Sequence, residues 1–129
     1  MKYIALDIGL KRIGVAYSAH KDITTPLTAI IRKNRNQAAL EVKNILIEWG
    51  AEAIVVGIPL GGSHEEEMRR RIKHFMNLVK FDGELYYQDE AMSSIEAEEI
   101  MKGNIQYKRD GRVDSIAAMI ILQRFLSIK

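Results

Sequence analysis

The chain has no cysteine, only two prolines and three histidines, and a net charge of just +2 over 129 residues. Without cysteine, a thiolate nucleophile, a Cys-ligated zinc and a disulfide framework are all excluded. His20, His64 and His74 show no paired ligand spacing such as His-x-x-x-His, so they read as surface or helix-face residues. Only His64, beside Gly61-Gly62-Ser63, has a position from which it could touch a substrate. No apolar run reaches the roughly 20 residues that span a bilayer. The chain enters a strand-like pattern almost at once, with no signal-peptide pattern. A soluble, cytoplasmic protein with no membrane partner is the default expectation.

What is present suits one packed domain over residues 1–129, because nearly half the residues (47%) are hydrophobic. The small net charge does not by itself argue for nucleic acid. Its distribution says more. Cations cluster at Arg32-Lys33-Asn34-Arg35, at Arg69-Arg70-Arg71-Ile72-Lys73-His74 and at Lys108-Arg109-Asp110-Gly111-Arg112. Each cluster alone is a solvated face; several around one acidic site would make a groove for phosphate backbone.

Tyr3 to Ile8 is apolar at both parities and predicts a buried strand. Gly9-Leu10-Lys11 suits a hairpin turn into a second strand from Arg12 to Ala19. A third strand is expected over Thr24 to Ile31, at a sheet edge because Pro26 cannot donate to a ladder. The period turns helical from Asn36 to Trp49, with a stop at Gly50. Glu52 to Ile58 is a β-branched run and predicts a buried parallel strand. Ser63 has capping-box spacing to Glu66 and opens a second helix. Glu84 to Gln88 is a fifth strand. A short helix is expected from Ser93 to Gly103, then a polar loop to Arg112, then a final helix beginning at Val113 or Asp114. The predicted fold class is α/β: a mixed five-stranded sheet, three antiparallel strands then parallel ones, with helices on both faces.

Three acids stand out. Asp7 lies inside the apolar first strand, where an ionised carboxylate costs several kcal/mol unless cations or donors compensate it. It reads equally as a metal ligand or as an aspartate bonded to turn amides. Glu90 follows the fifth strand, where parallel sheets bind ligands, yet alone it reads better as an exposed acid, and Asp89 competes for its role. Asp114 alone reads as a helix cap. Together the three make a site for hard cations such as Mg²⁺, which take oxygen ligands and serve phosphodiester cleavage in pairs. Ser93 and Ser94 read as helix caps, since no pattern places a base beside them. Lys11 and Arg12 could clamp phosphate or stand as exposed turn residues. Gly9 allows a close backbone approach.

Four segments resemble blocks of the YqgF/RuvX family, in order and over essentially the whole chain. They are Ala5-Leu6-Asp7-Ile8-Gly9-Leu10-Lys11-Arg12-Ile13-Gly14-Val15-Ala16, Val55 to Leu60, Asp89 to Ala97, and Val113 to Leu122. The resemblance implies a ribonuclease H-like fold and a metal-dependent nuclease using Mg²⁺ or Mn²⁺. Its acidic site would be Asp7, Glu90 and Asp114, and its basic turn Lys11 and Arg12. Gly9, Ser63, Lys108 and Arg112 join these as expected substrate contacts. The implied substrates are precursor 16S rRNA, trimmed at its 5′ end in ribosome biogenesis, or a Holliday junction. The partner is thus a structured RNA or branched DNA, and the protein a monomer or homodimer. Two departures stand out. Ala91 replaces the arginine usual after the Asp-Glu pair, and Gly61-Gly62-Ser63 is shorter than the usual loop. Two other classes compete. An actin-like ATPase shares the Asp-x-Gly turn but needs a second domain and phosphate loop. A non-catalytic RNA-binding or transcription factor would bind nucleic acid without cutting it.

Overall fold

The computed structural model describes residues 1–20, 23–60, 63–90, 99–100 and 111–128, without the side chains of residues 63, 64 and 128. The five strands are β1 (Tyr3–Ile8), β2 (Arg12–His20), β3 (Ile23–Ile31), β4 (Ala53–Ile58) and β5 (Glu84–Asp89). Three long helices accompany them: α1 (Arg35–Glu48), α2 (Ser63–Val79) and α3 (Gly111–Ile128). The sheet order is β3-β2-β1-β4-β5. β1, β2 and β3 pair antiparallel, and β4 and β5 run parallel to β1. The expected mixed sheet is what forms, with Pro26 on the edge strand β3.

Alternation of side chains across the sheet decides what each face carries. On one face Ile4, Leu6 and Ile8 of β1 join Ile54, Val56 and Ile58 of β4 against α1 and α2. Those two helices supply the other half, with Ala38, Val42 and Leu46 from α1 and Ile72, Phe75, Met76 and Val79 from α2. On the opposite face the sheet presents smaller residues, among them Ala5, Ala16 and Ala53. There α3 presses Ala118, Ile121, Leu122, Phe125 and Leu126 onto them. A second apolar row on α3, Val113, Ala117 and Ile120, is also buried. The breadth of apolar surface on the last helix is thereby used.

α1 begins earlier than its apolar period suggests. Asn34 is its N-cap and forms a reciprocal capping box with Gln37, whose amide nitrogen donates to Asn34 Oδ1 at 2.8 Å. That Asn-x-x-Gln spacing was available in the sequence as a start signal. α2 includes Ser63 as its first residue rather than placing it before the helix. α3 starts at Gly111, so Asp114 sits in its first turn and is not its cap. Packing overrides glycine's poor helix propensity here. Gly111 rests on Ala29, where an added Cβ would come within 2.8 Å of the Ala29 Cβ. At this point the β2–β3 register slips between Ile13 and Val15. Ser115, buried on α3, accepts a 3.1 Å bond from the Val15 N–H. The short helix expected over 93–103 and most of the following basic loop lie outside the described residues, apart from residues 99 and 100, which are helical.

Gly14 marks the closest approach of α3 to the sheet. A Cβ there would overlap the Asp114 carbonyl and come within 2.8 Å of the Ser115 nitrogen. Backbone cannot swing aside as a side-chain tip can. Gly14→Ala is therefore expected to destabilise the protein by about 1–3 kcal/mol, the usual range for overpacking. A urea titration with an unchanged midpoint would contradict this packing.

Candidate active site

Strand parity places Asp7 on the α3 face, in phase with Tyr3 and Ala5. Glu90 directly follows β5, in phase with Tyr86, which packs into the same face. The two residues are not on neighbouring strands, because β4 runs between β1 and β5. Two strand spacings amount to roughly 10 Å, so a side chain must cross β4 for the carboxylates to meet. Gly57 leaves the gap. A Cβ on Gly57 would lie 3.2 Å from Glu90 Cβ and 3.3 Å from Glu90 Oε2. The Glu90 side chain therefore lies over Gly57 and points toward Asp7, near enough for the two carboxyl groups to influence each other's protonation. Its backbone is tied down by a 3.0 Å bond from the Glu90 N–H to the Ile58 carbonyl.

This geometry distinguishes Glu90 from Asp89. Asp89 ends β5 opposite Ile58, out of phase with Glu90. It acts on the site through its charge. Burial pushes the Glu90 carboxyl above the usual carboxylate range, the interaction with Asp7 works against that rise, and the charge of Asp89 adds to it. Two carboxyl groups in contact in a half-buried setting are a like-charge pair that a proton or a cation must relieve.

Asp114 reaches the same face from α3. Its backbone abuts Gly14, and Gly14 is the cross-strand partner of Asp7. Its carboxylate, however, is turned to Arg12: Arg12 Nε donates to Asp114 Oδ2 at 2.5 Å. The expected basic turn is thus divided. Lys11 stands exposed at the hairpin, and Arg12 is spent on compensating Asp114. Gly9 closes that hairpin, donating from its N–H to the Arg12 carbonyl at 3.0 Å. Arg112 lies exposed in the first turn of α3. The Ser63 side chain, Ala91 and Lys108 fall outside the described residues. Among the described residues, no three acids or histidines converge closely enough to hold a metal ion together. What the structure brings together is the pair Asp7 and Glu90, with Asp114 one strand away on Arg12. Sequence reasoning missed Gly57 and Ser115. The only sequence signal for Gly57 was a glycine within a run of buried β-branched residues.

A mixed sheet of order β3-β2-β1-β4-β5 with helices on both faces is a ribonuclease H-like fold. Solved structures agree on the fold. Thermus thermophilus RuvC bound to a Holliday junction superposes with a TM-score of 0.62 at 13% identity, covering 99% of this chain and 94% of that one. The fowlpox virus Holliday junction resolvase gives a TM-score of 0.56 at 15% identity, with both chains covered completely. The chain belongs to the RuvX family, whose model, described as Holliday junction resolvase, matches residues 1–128. A relative from Sulfurimonas denitrificans is 70% identical over 129 residues, covering 100% of this chain and 99% of its own, and is named "Putative pre-16S rRNA nuclease". A Sulfurovum relative with the same name is 54% identical over 128 residues, covering 99% of this chain and 100% of its own. Among the described residues, no helix is long and apolar enough to cross a membrane.

Two expectations follow. Glu90 holds its proton to a higher pH when folded than when unfolded. Its contribution to stability is therefore complete below the ordinary carboxylate range and is lost as pH rises through the raised value. In metal-free protein, the melting temperature of the wild type should fall relative to Glu90→Gln between acidic and neutral pH. Parallel melting curves by circular dichroism would rule this out. Arg12→Ala should cost about 1.5–3 kcal/mol in denaturant titrations, the usual worth of a hydrogen bond to a charged group. Arg12→Lys should recover little of it, because a lysine lacks the planar Nε donor.

Proposed function

We propose that this chain is a metal-dependent nuclease whose Asp7, Glu90 and Asp114 hold Mg²⁺ or Mn²⁺, and that its substrate is precursor 16S rRNA, trimmed at the 5′ end. The observation that carries the proposal is the contact between Asp7 and Glu90 across Gly57. A half-buried pair of carboxyl groups with oxygen donors only, and no histidine or cysteine beside them, suits a hard divalent cation. When bound, such ions supply charge neutralisation at the scissile phosphate and an activated water.

The chain's own residues do the rest. Glu90 and Asp7 set the position of the site by meeting at the ends of β5 and β1. Asp114 stands one strand away with its carboxylate held by Arg12, and would have to turn from that bond to join a metal; the Arg12 guanidinium places positive charge where phosphate would arrive. Lys11, exposed at the turn, and Arg112, exposed at the start of α3, face solvent from which a nucleic acid can approach. The backbone of Gly9 at the hairpin tip, together with Ser63 and Lys108, completes the proposed set of substrate contacts. The ribosomal assignment draws support from the names of the relatives at 70% and 54% identity. The description of the family model favours a second reading, cleavage of a Holliday junction by a homodimer. A monomer acting in the cytoplasm suits the RNA reading.

The test is a cleavage assay on a precursor 16S rRNA leader and a four-way DNA junction, in Mg²⁺ and in Mn²⁺. Asp7→Asn should lower cleavage at least about a hundredfold, since even substitutions one layer outside a metal site cost ~10–100-fold. Glu90→Asp should fare little better, because the shortened side chain no longer spans β4. Unimpaired cleavage by Asp7→Asn would remove the assignment. Binding without cutting, in either metal, would favour a non-catalytic RNA-binding role.

A further inference from the structure

On the opposite side of the β1–β2 hairpin from the acids lies a groove of about 440 Å³, between the hairpin tip, the start of α1 and the flank of α2. Its floor is apolar, built from Ile8, Met68, Ile72 and Phe75. Its rim carries Arg32, Arg35, Arg70 and Arg71 against a single acid, Glu67. The function proposed above makes no use of these arginines.

Arg32 is held at two points. Its Nη1 donates to the Gly9 carbonyl at 2.7 Å, and its guanidinium lies 5.1 Å from the centre of the Phe75 ring. Burial and the neighbouring charge of Arg35 both push the Arg32 pKa down. Two cations held close, one of them partly buried, are relieved by an anion between them. Arg70 and Arg71 extend outward from α2, their side chains 69% and 60% exposed, so they are accessible to a ligand even while paired with Glu67.

A purely ionic surface would suit any phosphate. This groove also has an apolar floor and a fixed guanidinium plane, which suit the flat face of a base. A paired base in a duplex cannot enter such a concavity, whereas an unstacked one can. The groove also runs toward Glu90 along α2. Glu67, Met68 and Arg71 line it and equally line a second cavity, of about 430 Å³, that contains Glu90 and Pro59. Gly9, on its edge, is two residues from Asp7.

We propose that this groove seats an unpaired nucleotide of the nucleic-acid substrate, with the base over the apolar floor and its flanking phosphates on the arginine rim. The protein thereby grips a single-stranded extension beside the bond that is cut. This rests on the nuclease reading for the identity of the substrate, but its test is one of binding.

Fluorescence anisotropy in EDTA, where no cutting occurs, compares a blunt duplex with the same duplex carrying a single-stranded RNA or DNA extension. The wild type should bind an extended form about tenfold more tightly, the lower part of the range for one stacked base. The sugar preferred identifies which nucleic acid the groove takes. The double variant Arg35→Glu with Arg70→Glu should lose that advantage and keep its affinity for the blunt duplex. Its salt slope on the extended form should be shallower by about 0.7 for each phosphate it no longer neutralises. Both side chains lie on helix surfaces, and a circular dichroism melt confirms folding. Equal wild-type affinity for blunt and extended forms overturns the proposal, as does equal weakening of both by the variant. Cleavage of the same substrates in Mg²⁺ separates the two readings. If the wild type cuts but ignores the extension, the groove alone is refuted. If it prefers the extension but never cuts, the hydrolytic role is refuted and the groove stands.

Discussion

The contact between Asp7 and Glu90 depends on a missing methyl group. These carboxylates belong to strands that are not neighbours, and β4 separates them. Glutamate crosses over Gly57, where an added Cβ would overlap Ile121 Cδ1 at 2.5 Å and crowd the Glu90 side chain at 3.2–3.3 Å. Length and vacancy are matched. An aspartate at 90 would not reach, and an alanine at 57 would stand within van der Waals distance of the path. Burial along that path raises the affinity of Glu90 for its proton, and the interaction with Asp7 holds the rise back.

The remainder of the face is shaped by small residues. Ala5, Ala16 and Ala53 lower the surface of the sheet, and Gly14 removes the last obstacle, so α3 settles directly onto it. That descent brings Asp114 to the neighbourhood of Asp7 and makes Ser115 the acceptor for Val15. It also explains why α3 begins two residues before its apolar pattern does. Tertiary contact at Ala29 and Gly14 holds its first residues, not helix propensity. Arg12 then answers the charge that α3 delivers. A cation that looks like a substrate clamp in the sequence is, in the folded chain, also the counterion of an acid.

Much of the architecture was legible because it rests on periodicity. The runs at Tyr3–Ile8 and Ala53–Ile58 are apolar at both parities because both faces of those strands are covered. The stripes of α1 and α2 repeat every three to four residues because each helix buries one side. Asp7 was conspicuous because a charge within such a run demands compensation. Glu90 and Asp114 were weaker signals. An acid after a strand or at a helix start has ordinary explanations, and only their combination and the family resemblance raised them. The preference for Glu90 over Asp89 was not legible before the sheet register was known.

Local order, strand parity and the apolar faces are properties of residues a few positions apart, so the sequence by itself determined them. It set the order of elements, the face on which Asp7 lies, and the class of chemistry that oxygen ligands without histidine or cysteine allow. Which partner each acid meets was decided only by tertiary structure. Glu90 finds Asp7 through a gap on a strand between them, and Asp114 finds Arg12 across about a hundred residues of chain. The physical reason is that electrostatic partners are chosen by distance in space, and those distances exist only once β4 has inserted between β1 and β5 and α3 has come down onto the small residues of the sheet.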